Sequence, residues 1–418
     1  MHIRDPIHGA IGISPAERRL LDTRAFQRLR HIKQLGFSDV AFPGATHTRF
    51  VHVVGAMHVS GLLFDQVFGR ETGLPSEVQQ RFRQALRLAV LSHDLGHPPL
   101  SHTSEFALPM LSTLGLPSWA VDDPGRRATH EDYTRLLFLD GAFAERLEAL
   151  FPEGPGAAEV LTLLGGDPPE AIGAFVHGGI DYKPLLRQMV ASELDADRMD
   201  YLRRDSLYAG VTYGQFDLTW LLSNLGLTVQ GDAAYLALDR RAIFAFEDFL
   251  LSRYHMFLAV YFHRASVAYD EMLRRYFLTA EGAYQVPQTA AAFLETDDID
   301  LYGVLRASPD EWARRIVKRQ GYRTVYEEQS GDDPRFEEVA AVLTAAGIST
   351  LESESSSTVS RYLPGSRGLF VRTPGGEVPV DTYTPLFDRY AEAATIRRIY
   401  VPPEDEARAR ELSRPRGT

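Results

Sequence analysis

The most constraining feature of this sequence is an apolar helical segment that ends in clustered histidines, residues 86–102, LRLAVLSHDLGHPPLSH. Its first half has the apolar spacing of a helix that faces a core. His93 and Asp94 stand together at the end of this half, and His97 follows one helical turn later on the same side. Two prolines then stop the helix. Because a buried ionisable pair needs a counter-ion or a metal, we expect the chemistry here.

The composition excludes several classes of site. The 418 residues are 44% hydrophobic and 24% charged, as in a globular protein, and none is cysteine, so any metal must be bound by His, Asp or Glu. The net charge of −12 argues against broad binding to duplex nucleic acid. We expect no transmembrane helix, since no window approaches eighteen consecutive apolar residues. The N-terminus lacks a signal-peptide pattern, so we expect a cytoplasmic protein.

Apolar periodicity predicts a mainly α-helical fold. Helices are expected over residues 15–34, 49–68, 78–95, 104–114, 129–139, 185–207 and 241–277. Residues 151–169, rich in Gly and Pro, predict an insertion around one short helix, and residues 229–238 predict a strand pair that turns at Gly231-Asp232.

The composition changes after Pro287, where helices become shorter and strand-like segments occur at 323–326, 368–372 and 397–401. We therefore expect a helical core over residues 1–285 and a smaller α+β lobe over residues 286–418, which could carry oligomer or regulatory contacts.

The candidate metal ligands are His52, His93, Asp94 and a later carboxylate. Such a set without thiolates suits Mn, Fe, Zn, Ni or Mg. A single histidine of this kind is more often a core or capping residue, but the cluster favours function. Asp197 belongs to a line of polar residues, with Tyr201 and Asp205, that recurs every four positions on one helix face. A similar stripe, Arg253, Phe257 and Tyr261, would by itself indicate ordinary helix packing.

The order His52, His93-Asp94, Asp197 resembles the signature of the HD-domain metal-dependent phosphohydrolases. The wider match is to the deoxynucleoside triphosphate triphosphohydrolases, bacterial enzymes and the animal proteins with a sterile-alpha-motif and an HD domain. It covers roughly residues 3–285 and is carried by DPIHG (5–9), DTRAFQRLRHIKQLG (22–36), HTRFVH (47–52), HDLGHPPLSH (93–102), THE (129–131) and LDADRMDYLRRD (194–205).

This resemblance implies an HD-domain helical core in which His52, His93, Asp94 and Asp197 bind a divalent metal ion. Such an ion lowers the pKa of a bound water and polarises the α-phosphorus, so that triphosphate leaves as one unit and a deoxynucleoside is formed.

The resemblance also implies a proton donor, His102, with His130, Glu105 and Glu131 as orienting or relay partners. Related proteins carry Asp or Glu at the position of Glu105. A histidine held by a carboxylate has its tautomer fixed, and we expect its pKa to be raised. Glu131 taken alone would equally suit a carboxylate at a helix N-terminus.

Substrate contacts follow from the same resemblance. A site that leaves no room for a 2′-hydroxyl selects dNTP over NTP. Some relatives have Lys where this chain has Arg198, a planar fork in place of a point charge. The implied phosphate contacts are Arg49, His97, Arg198 and Arg253, and the implied sugar contacts are Gln34, Leu35, Tyr201, Asp205 and Tyr261.

A second, effector site for GTP or a dNTP is implied by Asp22, Gln27 and Arg30, with Arg241 and Arg264 keeping basic character for a second nucleotide. The match is incomplete, because Met1 and Trp220 replace basic residues. The alternative is that Asp22 caps a helix and Arg30 pairs locally. A nucleotide-activated homo-oligomer, dimer or tetramer, is the corresponding expectation.

Two other functions stay open. One is an HD-type phosphatase of nucleoside monophosphates or a related phosphorylated metabolite, although three arginines exceed what a monophosphate needs. The other is a nucleotide-sensing or single-strand-binding regulator, for which a restricted groove would suffice despite the acidic charge. The sequence has no basic run interleaved with aromatics to support it.

Overall fold

The computed structural model describes residues 1–69, 73–332, 334–358, 368–390 and 392–414. The fold is mainly α-helical with smaller sheets, which confirms the expected class. The α-helices are α1 (Pro15–Leu21), α2 (Arg24–Arg28), α3 (Arg49–Phe68), α4 (Ser76–Ser92), α5 (His130–Leu139), α6 (Ala142–Leu150), α7 (Ala157–Leu163), α8 (Lys183–Val190), α9 (Ala196–Ala209), α10 (Leu218–Ser223), α11 (Ile243–Met256), α12 (Arg264–Thr279), α13 (Ala290–Phe293), α14 (Asp298–Ala307), α15 (Glu311–Val317), α16 (Phe336–Ala345), α17 (Val380–Tyr383), α18 (Leu386–Arg389) and α19 (Glu406–Leu412).

The strands form three sheets in the described residues. Strands β1 and β2 make an N-terminal hairpin, β7, β11 and β8 make an antiparallel sheet, and the remaining strands form the third. The strands are β1 (His2–Asp5), β2 (Gly9–Gly12), β3 (Val176–His177), β4 (Ile180–Asp181), β5 (Leu225–Gln230), β6 (Ala233–Asp239), β7 (Arg323–Gln329), β8 (Leu351–Ser357), β9 (Phe370–Thr373), β10 (Gly376–Pro379) and β11 (Ala394–Val401).

Helix α3 is the centre of the fold, packed between α4 and α9. Among the described residues it is the one helix long and apolar enough to cross a membrane, but 72% of that stretch is buried inside the protein, as in a core helix. Gly55 permits the close packing of α3 on α9, because a Cβ there would overlap the carboxylate of Asp200. Helix α3 has the bounds predicted from the sequence, and α5 begins after its N-cap Thr129.

Four predicted helices are broken, and these predictions were wrong in detail. The segment 185–207 divides into α8 and α9, because Asp195 caps α9 and accepts from Arg198 N. The segment 15–34 splits at Thr23, whose hydroxyl donates to Leu20 O and so competes with helix continuation. The segment 104–114 contains two 3₁₀ turns, Ser101–Ala107 and Leu111–Leu114. The segment 241–277 is interrupted by a π-turn over Phe257–Tyr261. Hydrophobic periodicity marks the apolar face and does not register these local breaks.

The predicted strand pair at 229–238 is the antiparallel hairpin β5–β6, and the three strand-like segments near the C-terminus correspond to β7, β9 and β11. Strand β9 pairs in parallel with β6, and the main apolar core includes Phe293 and Leu301 as well as residues of α3 and α4. A smaller core around Phe336 and Val339 lies under the β7–β11 sheet.

Residues from beyond position 285 hold the loop at the end of α4. Asp298 accepts hydrogen bonds from Lys33 N (3.0 Å) and Leu100 N (2.6 Å). Leu100 and Ser101 both have left-handed backbone conformations, with φ of 59° and 60°, and such non-glycine residues must be held in place by their surroundings. Buried Arg28 donates to His97 O at 2.7 Å. The C-terminal segment therefore helps to shape the site.

Candidate functional site

Four predicted ligands converge at one place, which we call the metal corner: His52, His93, Asp94 and Asp197. His52 comes from the first turn of α3, His93 and Asp94 follow the end of α4, and Asp197 lies in the first turn of α9. Asp197 Oδ1 is 2.9 Å from His52 Nε2 and 3.4 Å from His93 Nε2, and the two Nε2 atoms are 3.4 Å apart.

Asp94 faces both imidazoles from a buried position. Its carboxylate oxygens lie 3.3 Å from His93 Nε2 and 3.7 Å from His52 Nε2. Burial alone would raise the pKa of Asp94, but the positive charges of Arg49, His93 and His97 hold it well below its usual range. Two imidazoles and two ionised carboxylates together suit a divalent cation, so the residues present fit the metal implied by the resemblance.

The outer nitrogens of both imidazoles have fixed acceptors. His52 Nδ1 donates to Asp200 Oδ2 at 2.8 Å, and His93 Nδ1 donates to Val90 O at 2.6 Å. Because an occupied Nδ1–H leaves the lone pair of a neutral ring on Nε2, each imidazole, once neutral, points a donor atom into the metal corner. Asp200 is therefore a supporting carboxylate.

Sequence reasoning missed Asp200 and the arm that supports it. Fully buried Asp200 pairs with Arg204 (2.8 Å) and with His8 Nε2 (2.6 Å), and Arg204 also reaches Asp5 (2.8 Å). The DPIHG motif thus supplies two residues of this network. The one available signal was the i, i+4 spacing of Asp200 and Arg204, a pattern common on exposed helices.

The carboxylates shift the histidines of the metal corner towards the charged form. Burial lowers the pKa of His52, but hydrogen bonds to Asp197 and Asp200 overcome it and raise the pKa to about 10. For His93 burial is likewise outweighed, by Asp94 and Asp197, so its pKa is raised. Metal ligation requires neutral imidazole, so binding of a cation would displace protons.

A second group, which we call the relay corner, contains His97, His102, Glu105 and His130. Glu105 accepts from His102 Nδ1 (2.9 Å) and His130 Nδ1 (2.7 Å), so it holds both rings with one carboxylate. His97 stacks on His130 at 3.9 Å with an interplanar angle of 12°. The ring nitrogens of His97, His102 and His130 lie within 4.8 Å of one another, and Glu105 accepts from Nδ1 of two of the three rings.

The expected raised pKa of His102 was wrong. Enclosure by the cavity lowers the pKa of His102, and the charges of Arg49 and His130 reinforce this against the opposing effect of Glu105. The pKa of His97 is held well below its usual value by burial and by Arg49. Burial would raise the pKa of Glu105, but hydrogen bonds from His102 and His130 lower it, so this carboxylate stays ionised.

The cationic residues of the predicted phosphate site line the same cavity, of about 930 Å³, as both corners. Arg49 donates to Asp94 (2.5 Å) and to Ser101 Oγ (2.8 Å). It thereby links the metal corner to the loop that contains Leu100 and Ser101. Arg198 pairs with Glu193 at 2.8 Å. Arg253 lies over the ring of Phe257 at 5.0 Å.

The predicted sugar contacts are grouped around Asp205. This buried carboxylate accepts from His47 Nε2 and from Tyr261 Oη, each at 2.8 Å. Tyr201 lines the same wall, and its ring centroid is 6.4 Å from that of Tyr261. Gln34 and Leu35 complete this part of the cavity. His47 was not predicted; only its place in the HTRFVH motif pointed to it.

Glu131 and the predicted effector residues lie apart from these groups. Glu131 is exposed at the cavity wall and pairs with Arg135 at 3.6 Å. The effector candidates lie outside the residues that line the cavity; Arg30 donates to Gln27 (2.9 Å) and Arg241 to Asp239 (2.9 Å). These are local pairs. Asp22 is the C-cap of α1, and Arg264, at the start of α12, is exposed.

Comparisons with known proteins agree with this geometry. Residues 216–354 match the family model of the HD associated region. The deoxynucleoside triphosphate triphosphohydrolase SAMHD1 of Gallus gallus is 29% identical over 290 residues, 68% of this chain and 46% of that protein. The protein of the same name from Bos taurus is 27% identical over 366 residues, 81% of this chain and 60% of that protein. An uncharacterised protein of Bacillus subtilis is 28% identical over 393 residues, 87% of this chain and 81% of that one.

A crystal structure of a hypothetical protein from Aquifex aeolicus has the same fold, with a TM-score of 0.76, 26% identity and coverage of 99% of this chain and 100% of that one. The matched region and these relatives make the chain similar to the HD-type phosphohydrolases. Its named relatives are deoxynucleoside triphosphate triphosphohydrolases, and the chain spans only 45% to 60% of their length.

Proposed function

We propose that this protein is a metal-dependent hydrolase that cleaves dNTPs at the α-phosphate, giving a deoxynucleoside and intact triphosphate. One observation carries the proposal: a single cavity joins the metal corner, the relay corner, three guanidinium groups and the Asp205–Tyr261 pair. For this reaction a cavity must bind a polyanionic triphosphate and a sugar, and it must place them beside a hydrolytic centre.

The chain's own residues bind and orient the triphosphate. Arg49, Arg198 and Arg253 offer planar forks that suit phosphate oxygens. His97, whose pKa is lowered, can donate or accept one neutral hydrogen bond beside them. The Asp205 carboxylate, held from two sides, is oriented to accept a hydrogen bond from a sugar hydroxyl, while Tyr261 closes the space where a 2′-hydroxyl would lie.

His52, His93, Asp94 and Asp197 would hold the divalent ion, with Mn, Mg, Fe, Zn and Ni all compatible with the donor set. When bound, such an ion supplies a water of lowered pKa and polarises the α-phosphate.

The relay corner supplies the proton for the leaving 5′-oxygen. His102 Nδ1 is held by Glu105, so its Nε2 is the nitrogen that can carry a proton to the substrate. The low pKa of free His102 does not oppose this role, because the negative charge of a bound triphosphate raises the pKa of a nearby imidazole.

The direct test is to incubate the purified protein with Mn²⁺ or Mg²⁺ and each dNTP and to identify the products. The proposal expects equimolar deoxynucleoside and tripolyphosphate. Orthophosphate or pyrophosphate as the first product would contradict the cleavage site, and hydrolysis of monophosphates alone would indicate the phosphatase alternative. Binding of oligonucleotide that survives Asp94→Ala at moderate salt would favour the regulator instead.

The proposal includes a cytoplasmic protein that forms a dimer or tetramer and responds to GTP or a dNTP at Asp22, Gln27 and Arg30. Light scattering and dNTP hydrolysis, each measured with and without GTP, test both features. An unchanged mass and rate would remove the effector site from the proposal and leave the hydrolytic site intact.

A further inference from the structure

The cavity has a wall beside the sugar contacts, and several residues of this wall have no part in the proposed reaction. This wall is made by the 3₁₀ turn Ser101–Ala107 and by helix α12. Its cavity-lining residues are Gly36, Thr103, Phe106, Asp270, Glu271 and Arg274.

The position of this wall follows from Gly36, which comes directly after the sugar contacts Gln34 and Leu35. A Cβ at Gly36 would collide with Thr103 Oγ1, so the two chain segments are in close contact. Thr103 Oγ1 in turn donates to Asp270 Oδ1 at 2.8 Å. The sugar contacts therefore run without a break into the wall that carries Asp270.

The part of the cavity that would hold the metal and the phosphates is lined by Arg49, His93, Asp94 and Asp197. Thr134 lines it and donates to His93 O at 3.1 Å, and Arg135 and Arg187 extend it. In the proposed binding mode, with the phosphates at the metal corner and the sugar against Asp205, the wall formed by Gly36, Thr103 and Asp270 is the one left for the base.

Asp270 differs from the other carboxylates of the cavity. Among the described residues no Lys or Arg lies within ion-pair distance of it, and Thr103 is its hydrogen-bond donor. Burial raises the pKa of Asp270 to about 7, and the neighbouring charge of Glu271 adds to the rise. A largely buried carboxylate with unused acceptor capacity on a cavity wall is suited to a ligand that brings its own donors.

Phe106 provides a flat apolar surface beside it. In a 3₁₀ turn the side chains at i and i+3 are eclipsed, so Phe106 stands on the same side as Thr103. Its ring is edge-on to Phe277, with centroids 5.6 Å apart, and it lines the cavity together with Arg274, whose guanidinium lies over the ring at 6.0 Å from its centroid. An aromatic ring next to a carboxylate can stack a base and read its edge.

We propose, building on the function proposed above, that Asp270 is a specificity-determining residue that accepts the N1–H and N2–H of a guanine base stacked on Phe106. A carboxylate has two acceptor oxygens, and guanine presents two adjacent donors on one edge. Thymine places carbonyl oxygens on both sides of its single N–H, so a carboxylate repels it. The dNTP site is thereby predicted to favour dGTP over dTTP.

The test compares kcat/KM for dGTP, dTTP and dITP, with release of tripolyphosphate as the readout. In the wild-type protein, dITP should be about fivefold poorer than dGTP, because inosine lacks the 2-amino donor. In Asp270→Asn the dGTP:dTTP ratio should fall about tenfold and the dGTP:dITP difference should vanish. The dITP comparison needs no variant and so does not depend on the folding of Asp270→Asn.

Two control variants separate recognition from structure. Glu271→Gln removes the neighbouring charge and should leave the dGTP:dTTP ratio within about twofold of the wild-type ratio. Thr103→Val removes the hydrogen bond but keeps the carboxylate, and should lower the rates for all dNTPs together. If Asp270→Asn behaves like Thr103→Val, or if dITP equals dGTP, the inference is overturned while the proposed function stands. If no dNTP releases tripolyphosphate, the proposed function fails and the inference with it.

Discussion

The two histidine clusters of the cavity differ in the direction of their pKa shifts. In the metal corner the pKa values of His52 and His93 are raised, whereas in the relay corner those of His97 and His102 are lowered. Desolvation lowers the pKa of all four imidazoles, including His102, although 65% of the His102 side chain is exposed. The difference must come from the charges around them.

Those charges are distributed unequally. Asp94, Asp197 and Asp200 surround the two imidazoles of the metal corner. In the relay corner His102 and His130 share Glu105, and His97 faces Asp94 at 3.2 Å beside the positive charge of Arg49. An excess of carboxylates prepares the first cluster to exchange protons for a cation. In the second cluster the pKa values of His97 and His102 are lowered, so these two rings favour the neutral form, and a bound anion would raise both pKa values. The same residue type thus serves two purposes in one cavity.

The largest expected effect is that of removing a carboxylate from the metal corner. Asp197→Asn keeps the size of the side chain but removes charge and a ligand oxygen, so we expect kcat to fall by about 10³-fold or more. Calorimetry should also show loss of Mn²⁺ binding. Asp65→Asn is the matched control, because Asp65 forms an exposed pair with Arg83 on the surface side of α3. Retained Mn²⁺ affinity in Asp197→Asn would contradict the ligand assignment.

Loss of the proposed proton donor should have a smaller effect on kcat and should leave the metal corner intact. For His102→Gln we expect kcat to fall about 10²-fold, with the Kd for Mn²⁺ unchanged. A p-nitrophenyl phosphate diester, whose leaving group needs no proton, should lose much less. If Mn²⁺ binding is lost together with activity, the two corners are not separate.

Removing a supporting carboxylate tests whether the excess of negative charge matters. Asp200→Asn weakens the hydrogen bond that His52 Nδ1 donates to residue 200, because the ionised acceptor becomes a neutral amide. We therefore expect the Kd for Mn²⁺ to rise about 10- to 100-fold. Titration of activity against Mn²⁺ should show that saturating metal restores most of kcat. A low kcat at saturation would mean that Asp200 also acts after metal binding.

The opposite pKa shifts predict that the metal-free protein loses stability on both sides of pH 6.5. Histidines with raised pKa values contribute stability that is complete below pH 6.5 and is lost as the pH rises towards about 10. Histidines with lowered pKa values favour the unfolded chain when protonated, so stability is lost as the pH falls below 6.5. We expect His97→Gln to recover about 1 kcal/mol of unfolding free energy at pH 5.

Urea unfolding at pH 5, 7 and 9 measures this smallest effect. His31→Gln, at an exposed histidine, is the matched control and should change the profile little. Added Mn²⁺ should flatten the alkaline side, because ligation replaces the proton on His52. An acidic limb that is unchanged in His97→Gln would contradict the assignment of that limb to the relay corner.

The sequence predicts more of the residues that line the cavity than of the residues that hold those side chains in place. The helix α3, the β5–β6 hairpin and the collection of the motif residues in one cavity all follow from local patterns. The roles of Asp200 and His8 do not, because 192 residues separate the two and their contact depends on how the N-terminal arm packs. The direction of the pKa shift of His102 was also missed, because it depends on desolvation and on the charges of Arg49 and His130, which only the fold brings close to His102.

Hydrolysis in ¹⁸O-labelled water tests the central claim most directly. With Mn²⁺ and a dNTP substrate, mass spectrometry should find one ¹⁸O in tripolyphosphate and none in the deoxynucleoside, because the attack is on the α-phosphorus. Label in the deoxynucleoside, or in orthophosphate or pyrophosphate formed as the first product, would contradict the account.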